Sequence, residues 1–174
     1  WTGRPPRCSR ASSRRHPDRG VVIINISVYG NTHYAWVTAA KLAEKGNHVM
    51  LCLSENDDSP VTFDASREWL LPQVLEEQQA SGRLQIVSAA YGHGTIHLMA
   101  DDYADEAEFR DAMAKIRQGN PEARMMLVLS ALPVGTLEKL RQELATAQSS
   151  PLSLAALPLF VREGSALADF EKPQ

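Results

Sequence analysis

Cysteine is scarce in this 174-residue chain: only Cys8 and Cys52 are present. One sits in an arginine-rich start and the other in an apolar run of strand length, so no disulfide framework is expected, and a reducing, cytoplasmic compartment fits. A strand interior gives Cys52 neither exposure nor a positive neighbourhood, so it is read as core filling, not as a reactive thiol. Long apolar runs are also missing. The runs from Val21 to Ile24, Val49 to Leu53 and Met125 to Leu129 are all far short of the roughly 20 residues that cross a bilayer, so no membrane span or anchor is expected. No serine-histidine-acid set and no paired-carboxylate arrangement stands out, and neither an internal repeat nor an interdomain linker is visible.

Positive charge is lacking over most of the chain. The net charge of −3 combines an acidic body with six arginines in the first twenty residues, Arg4, Arg7, Arg10, Arg14, Arg15 and Arg19. An acidic body has no footprint for nucleic acid, because phosphate binding depends on clustered Lys and Arg, and only the first twenty residues have that composition. With Pro5, Pro6 and Pro17 and little to bury, residues 1–20 are expected to be a disordered basic leader. An Arg-rich, acid-poor start resembles a transit peptide, and Arg14-Arg15 a twin-arginine signal, but a mis-assigned start or an expression-derived leader is the preferred reading.

From Val21 onward the pattern alternates between short apolar runs and helical periodicity. Val21 to Val28 predicts a strand, Tyr29-Gly30-Asn31 a turn, and Tyr34 to Glu44 a helix closed by Gly46-Asn47. Val49 to Leu53 is a second strand. Asn56 to Asp64 is a polar loop, and Ser66 can cap a helix running to about Ala80, with Pro72 an irregularity inside it. Strands are expected at Leu84 to Val87, Thr95 to Met99, Met125 to Leu129 and Leu152 to Ala156. Helices are expected at Asp105 to Gln118, Leu137 to about Ala147 and Gly164 to Phe170. Such alternation predicts an α/β chain with one doubly wound, mainly parallel sheet, single domain, over residues 21–174. Ligands in this architecture bind beyond the carboxyl ends of the strands, which directs attention to the loops starting at Tyr29, Leu53, Ala100, Ser130 and Leu157.

Those loops carry a resemblance. Ile26-Ser27-Val28-Tyr29-Gly30-Asn31-Thr32-His33-Tyr34-Ala35-Trp36-Val37-Thr38-Ala39 is similar to the strand, G-x-G-Y-V-G turn and V-T-A helix that open the UDP-glucose/GDP-mannose dehydrogenases. Ser81-Gly82-Arg83-Leu84 resembles that family's turn before the third strand, and Ser130-Ala131-Leu132-Pro133-Val134-Gly135-Thr136 its S-T-x-P-V-G-T loop. Phe160-Val161-Arg162-Glu163-Gly164-Ser165-Ala166, then Asp169-Phe170, resembles its N-P-E-F-L-R-E-G-S-A segment. Four colinear matches over about residues 21–173 identify the chain as a divergent relative of the family's N-terminal, NAD-binding half, which implies a Rossmann-like fold. The resemblance places Gly30, Asn31, Thr32, His33, Tyr34, Ala35, Ser130 and Pro133 at a degenerate cofactor site.

Each loop departs from the family at a residue that would touch cofactor or substrate. Thr32 stands where the second glycine lets backbone approach the pyrophosphate, and its β-branched side chain is expected to block that approach. Ala35 is an accepted variant of the third glycine. Leu53 stands in place of the ribose-binding acid, where each lost charge-assisted hydrogen bond is worth roughly 1.5 to 3 kcal/mol; Glu55 lies near enough to substitute. Met99-Ala100-Asp101-Asp102 brings carboxylates where the family has a V-P-T-P-like loop. Ala131 replaces a threonine, and Leu157 and Leu159 replace the family's Asn and Glu, which leaves no group there to shuttle a proton. The family's nucleophilic cysteine and its lysine and asparagine partners belong to the sugar-binding half, so no catalytic residue is assigned.

His93, His97, Asp101 and Asp102 include metal-competent types, but His93 and His97 would lie about 13 Å apart along a strand, so no metal site is assigned. His33 and Tyr34 at a helix N-terminus can face an anion, although a surface histidine and a packed tyrosine are the expected outcome. Arg162 and Glu163 are read as an ion pair at a helix start. The pattern of losses predicts a degenerate, non-catalytic binding or regulatory module linked to polysaccharide biosynthesis, without a cofactor. The alternative is the NAD-binding part of a UDP-glucose/GDP-mannose 6-dehydrogenase, an oxidoreductase, completed by a missing or separate sugar-binding half, with NAD as cofactor. A protein partner or self-association is expected through an apolar patch where the second domain would dock; no nucleic acid and no membrane is expected.

Overall fold

Apolar runs bounded by glycine and polar turns become six parallel strands in the computed structural model, which describes residues 22–53, 68–88, 92–146 and 152–172. The strands are β1 (Asn25–Tyr29), β2 (His48–Leu53), β3 (Leu84–Ser88), β4 (Ile96–Met99), β5 (Met125–Val128) and β6 (Ser153–Ala156). The helices are α1 (His33–Glu44), α2 (Leu71–Ala80), α3 (Glu106–Gly119), α4 (Thr136–Thr146) and α5 (Ala166–Glu171). Every pairing is parallel and the order across the sheet is β3-β2-β1-β4-β5-β6. The order reverses beside β1, which makes the carboxyl ends of β1 and β4 the switch point where this architecture binds ligands.

Alternation along each strand feeds two cores. Ile26, Val28, Val49, Leu51, Leu84 and Leu98 face one layer with Val37 of α1, Leu75 of α2 and Leu167 of α5. Tyr29, Cys52, Met99, Met126 and Val128 face the other with Phe109 and Ile116 of α3 and Leu140 of α4. Lys41 is almost wholly buried at 4% exposure, yet its ammonium meets Glu44 in α1 and Glu171 of α5 at 2.7 Å, so the burial of its charge is compensated and α5 is tied to α1. Among the described residues no helix is long and apolar enough to cross a membrane.

Several expected boundaries move. The first strand begins at Asn25, not Val21, because pairing starts where His48 donates its amide to the Ile24 carbonyl. Val22 and Ile23 precede that contact and are exposed. Helix α2 begins at Leu71, so Pro72 lies in its first turn, where a missing N–H disturbs nothing, instead of acting as an interior irregularity. The last helix starts two residues later than expected, at Ala166, because Gly164 turns with φ +87°. Helix α3 is capped by the Asp105 carboxylate, which accepts from the amides of Ala107 and Glu108 at 2.8 and 2.9 Å. The expected leader over residues 1–20, Glu55, the loop from Asn56 to Asp64, the Ser66 cap and Ala147 lie outside the described residues.

Candidate functional site

The switch-point loops are held together by contacts among themselves. Gly30 follows β1 with φ +128°, and its amide donates to the Cys52 carbonyl at 3.2 Å. A Cβ at this position would lie 2.8 Å from the Asp101 nitrogen and 2.9 Å from the Ala100 carbonyl. Glycine is therefore required both by the backbone conformation and by the close approach of the β4 exit.

Thr32 is the N-cap of α1. Its hydroxyl oxygen accepts from the Ala35 amide at 3.2 Å and its hydroxyl hydrogen is donated to the Ala100 carbonyl. One side chain thus satisfies a first-turn amide and straps α1 to the end of β4, at the end of the helix that offers an anion its free amides. Asn31 is turned inward, its Oδ1 accepting from the Trp36 indole at 3.0 Å. Ala35 is fully buried, as close helix-to-sheet packing requires. His33 does not project as a surface histidine: its Nε2 lies 4.0 Å from a Glu68 carboxylate oxygen, with both side chains largely buried. Tyr34 is exposed and meets the His33 ring edge-on at 6.0 Å.

The remaining loops follow the same pattern. Ser130, beyond β5, directs its hydroxyl at the carbonyls of Met99 (3.2 Å) and Asp101. Pro133 is exposed, and its carbonyl accepts the Thr136 amide at 3.1 Å as Gly135 turns at φ +90° into α4. Leu53 packs half-buried against the first core, which leaves the end of β2 apolar at that position. Asp102 is exposed, and its amide donates to the Asp101 carboxylate at 3.1 Å. The hydroxyls of Thr32 and Ser130, two residues that the resemblance places at the degenerate cofactor site, both bind carbonyls at the exit of β4.

Beyond β6, the expected pairing of Arg162 with Glu163 is replaced. The Arg162 guanidinium binds both oxygens of Asp169 through its Nε and Nη2, at 3.1 and 2.9 Å, and the Arg162 amide and Ser165 hydroxyl donate to the same carboxylate. These donors hold the Asp169 carboxyl well below the usual carboxylate range, the guanidinium foremost. Asp169 lies one helical turn from Ser165, whereas the neighbouring Glu163 is in the turn before α5, so geometry favours the more distant acid. Ala131, Leu157 and Phe160 are exposed, and Leu159 is half-buried.

Two features are not visible in the sequence patterns. Glu68, 4% exposed, accepts the Ala166 amide at 2.9 Å and so connects the entry of α2 to the start of α5 beside His33. The second is a buried polar relay under the β4 entry. The Tyr29 hydroxyl donates to His97 Nδ1 at 2.7 Å and accepts the Gly92 amide at 3.0 Å. His97 Nε2 then donates to the Gly94 carbonyl at 2.9 Å, which also accepts the Asn120 side-chain amide at 2.8 Å. Burial lowers the pKa of His97 and raises that of Tyr29, so both are neutral partners. His97 is wholly enclosed while His93 is exposed. Alternation along one strand does not say which residues of another strand His97 faces; the parallel register of β1 with β4 puts it on the same face as Tyr29.

No protein-family model matches the chain. UDP-glucose 6-dehydrogenase YwqF of Bacillus subtilis strain 168 is 26% identical over 166 residues, covering 84% of this chain and 37% of that protein. Among solved structures, a UDP-glucose dehydrogenase from the hyperthermophilic archaeon Pyrobaculum islandicum superposes with a TM-score of 0.70 at 26% identity, over 89% of this chain and 40% of that one. A GDP-mannose dehydrogenase from Pseudomonas aeruginosa has the same fold, with a TM-score of 0.68 at 18% identity over 85% of this chain and 39% of its own. The chain therefore spans about two fifths of the length of these relatives. Sequence and fold agree on the likeness: this chain is similar, over about two fifths of their length, to the N-terminal domain of the nucleotide-sugar dehydrogenases.

Proposed function

We propose that the chain keeps the scaffold of the NAD-binding half of a nucleotide-sugar dehydrogenase without its dehydrogenase chemistry, and works as a non-catalytic binding or regulatory module serving polysaccharide biosynthesis. The observation that carries this reading is Thr32. Its hydroxyl closes the first turn of α1 onto Ala35 and onto the β4 exit, where a dinucleotide would need a bare backbone for its pyrophosphate. Leu53 at the end of β2 supplies no acceptor for a ribose hydroxyl, and Leu157 and Leu159 supply no proton shuttle. The hydrophobic layers on both faces of the sheet are continuous, which supports a fold still in use.

Such a module acts by contact. Tyr34, Trp69, Leu70, Val134, Leu157 and Phe160 are exposed and all belong to loops or helix starts at the carboxyl end of the sheet, a setting suited to a protein partner or a second copy of the chain. The second reading is an NAD-binding half completed by a missing or separate sugar-binding half. The Gly30 turn kept at the strand-order switch point, where this architecture binds dinucleotides, supports it.

Titration calorimetry of the folded chain with NAD, and separately with UDP-glucose, tests the choice. Absence of saturable heat with either ligand at protein concentrations able to detect millimolar binding supports the scaffold reading. Saturable NAD binding overturns it in favour of the completed enzyme.

A further inference from the structure

The opposite end of the sheet holds a different chemistry. Asn25 pairs with His48 across β1 and β2, and the β2–β3 register continues one step back from Val49 and Leu84 to place Arg83 beside His48. Arg83 joins this row through the Val49 amide, which donates to its carbonyl at 2.7 Å. Alternation puts Asn25 on the side of Tyr29, His48 on the side of Met50 and Cys52, and Arg83 on the side of Gln85 and Val87, which is one and the same face of the sheet. With neighbouring strands about 4.8 Å apart, the three side chains form a row roughly 10 Å long. His93 completes it, because Gly94 packs so tightly on Asn25 that a Cβ there would lie 2.9 Å from the Asn25 carbonyl.

These residues, with Met50 and Gln85, line a cavity of about 240 Å³. Its wall offers a guanidinium, two imidazoles and two carboxamides, and no acidic side chain is among its lining residues. Among the described residues, no carboxylate forms an ion pair with Arg83, His48 or His93. In a chain of net charge −3, these donors meet no acidic side chain in the wall of the cavity.

We propose that this cavity is a binding site for a phosphate group, either free phosphate or the phosphate of a small phosphomonoester. A tetrahedral anion presents several oxygens, and the donors carried on one face by three neighbouring strands and the β4 entry line a single cavity that can offer them several hydrogen bonds, with Arg83 as the planar fork. The cavity leaves space for part of an ester beyond the phosphate. It lies at the amino ends of the strands, about 16 Å from the Gly30–Thr32 turn by strand rise, and so does not depend on the reading of that turn.

The test is an NMR titration of the full chain, with backbone amides assigned, against inorganic phosphate and against adenosine monophosphate, each matched by sodium chloride at equal ionic strength. Saturable shifts centred on His48, Arg83 and Gln85 are expected with phosphate, absent with chloride. Arg83→Gln, whose spectrum reports that it is folded, should weaken binding about tenfold, and Gln85→Glu, which places a carboxylate in the wall, should weaken it independently. Adenosine monophosphate binding here as well as or better than phosphate assigns the site to a phosphomonoester, and weaker binding assigns it to free phosphate; both outcomes support the site. Shifts that follow chloride, shifts confined to the carboxyl end of the sheet, or unchanged affinity in Arg83→Gln overturn it.

Discussion

Removing the Thr32 hydroxyl should show that the group closing the ligand site is also a structural strap. In Thr32→Ala the Ala35 amide loses its cap, worth about 1 kcal/mol, and the Ala100 carbonyl loses a donor, worth a further 0.5 to 1.5 kcal/mol or so. The sum is about 2 kcal/mol. With a urea m-value of about 2 kcal/mol/M, the unfolding midpoint should fall by roughly 1 M. Thr32→Ser keeps the hydroxyl and both hydrogen bonds and should stay within about 0.5 kcal/mol of the parent. Thr32→Gly loses the link to Ala100, but glycine is itself acceptable at an N-cap, so it should fall between the two. Urea denaturation followed by circular dichroism gives the order Ser, Gly, Ala from most to least stable. If Thr32→Ala matched Thr32→Ser, the hydroxyl would be exchanging freely with water, the first turn of α1 would be open to a ligand, and the proposed reading of the site would lose its main support.

Three further perturbations probe the same framework. Gly30→Ala combines a disfavoured backbone with a backbone clash, and should cost about 2 to 4 kcal/mol, whereas Gly135→Ala, with nothing within 4 Å of its Cβ, should cost only about 1 to 2 kcal/mol; equal losses in urea midpoint would contradict the close approach at Gly30. The Cys52 thiol, 2% exposed and pushed up to about 12 by burial, should react with a thiol reagent in a Cys8→Ser background only as the chain unfolds, and rapid native labelling would place it outside the core. His97 has its pKa lowered by burial, so its contribution to stability is complete above the ordinary histidine value of about 6.5 and is lost as the pH falls from there toward the folded-state value. The urea midpoint of the parent should therefore drop between about pH 7 and pH 5 more steeply than that of His97→Gln, and parallel profiles would remove His97 from the acid response.

Periodicity was sufficient for the architecture because burial on both faces forces continuous apolar runs in a parallel sheet. Val49 to Leu53 and Met125 to Leu129 announced their strands, and Gly46 and Gly119 the ends of α1 and α3. It misplaced the start of β1 because Val22 and Ile23 are as apolar as the strand itself, and only the position of β2 determines where pairing begins. The site was legible in part. Thr32 was recognisable as an obstruction from its type and place, but not as a cap bound to Ala100, a contact between residues 68 positions apart. Arg162 was recognisable as paired, but its partner depended on the turn at Gly164 and the start of α5, which bring the Asp169 carboxylate onto the guanidinium.

By itself, the sequence determined the alternation of strand and helix, the parallel sheet that follows from it, and which chemical groups are missing from the loops at its carboxyl end. These are properties of residue type and spacing along the chain. Only the tertiary structure decided what the remaining groups do. Glu68 became the acceptor for the start of α5, Tyr29, His97 and Asn120 became one relay, and Arg83, His48, Asn25 and His93 came to line one cavity. The physical reason is common to all three: a hydrogen bond or a charge is satisfied by whatever lies within about 3 Å, and which residues come that close is set by strand order and register, not by position along the chain.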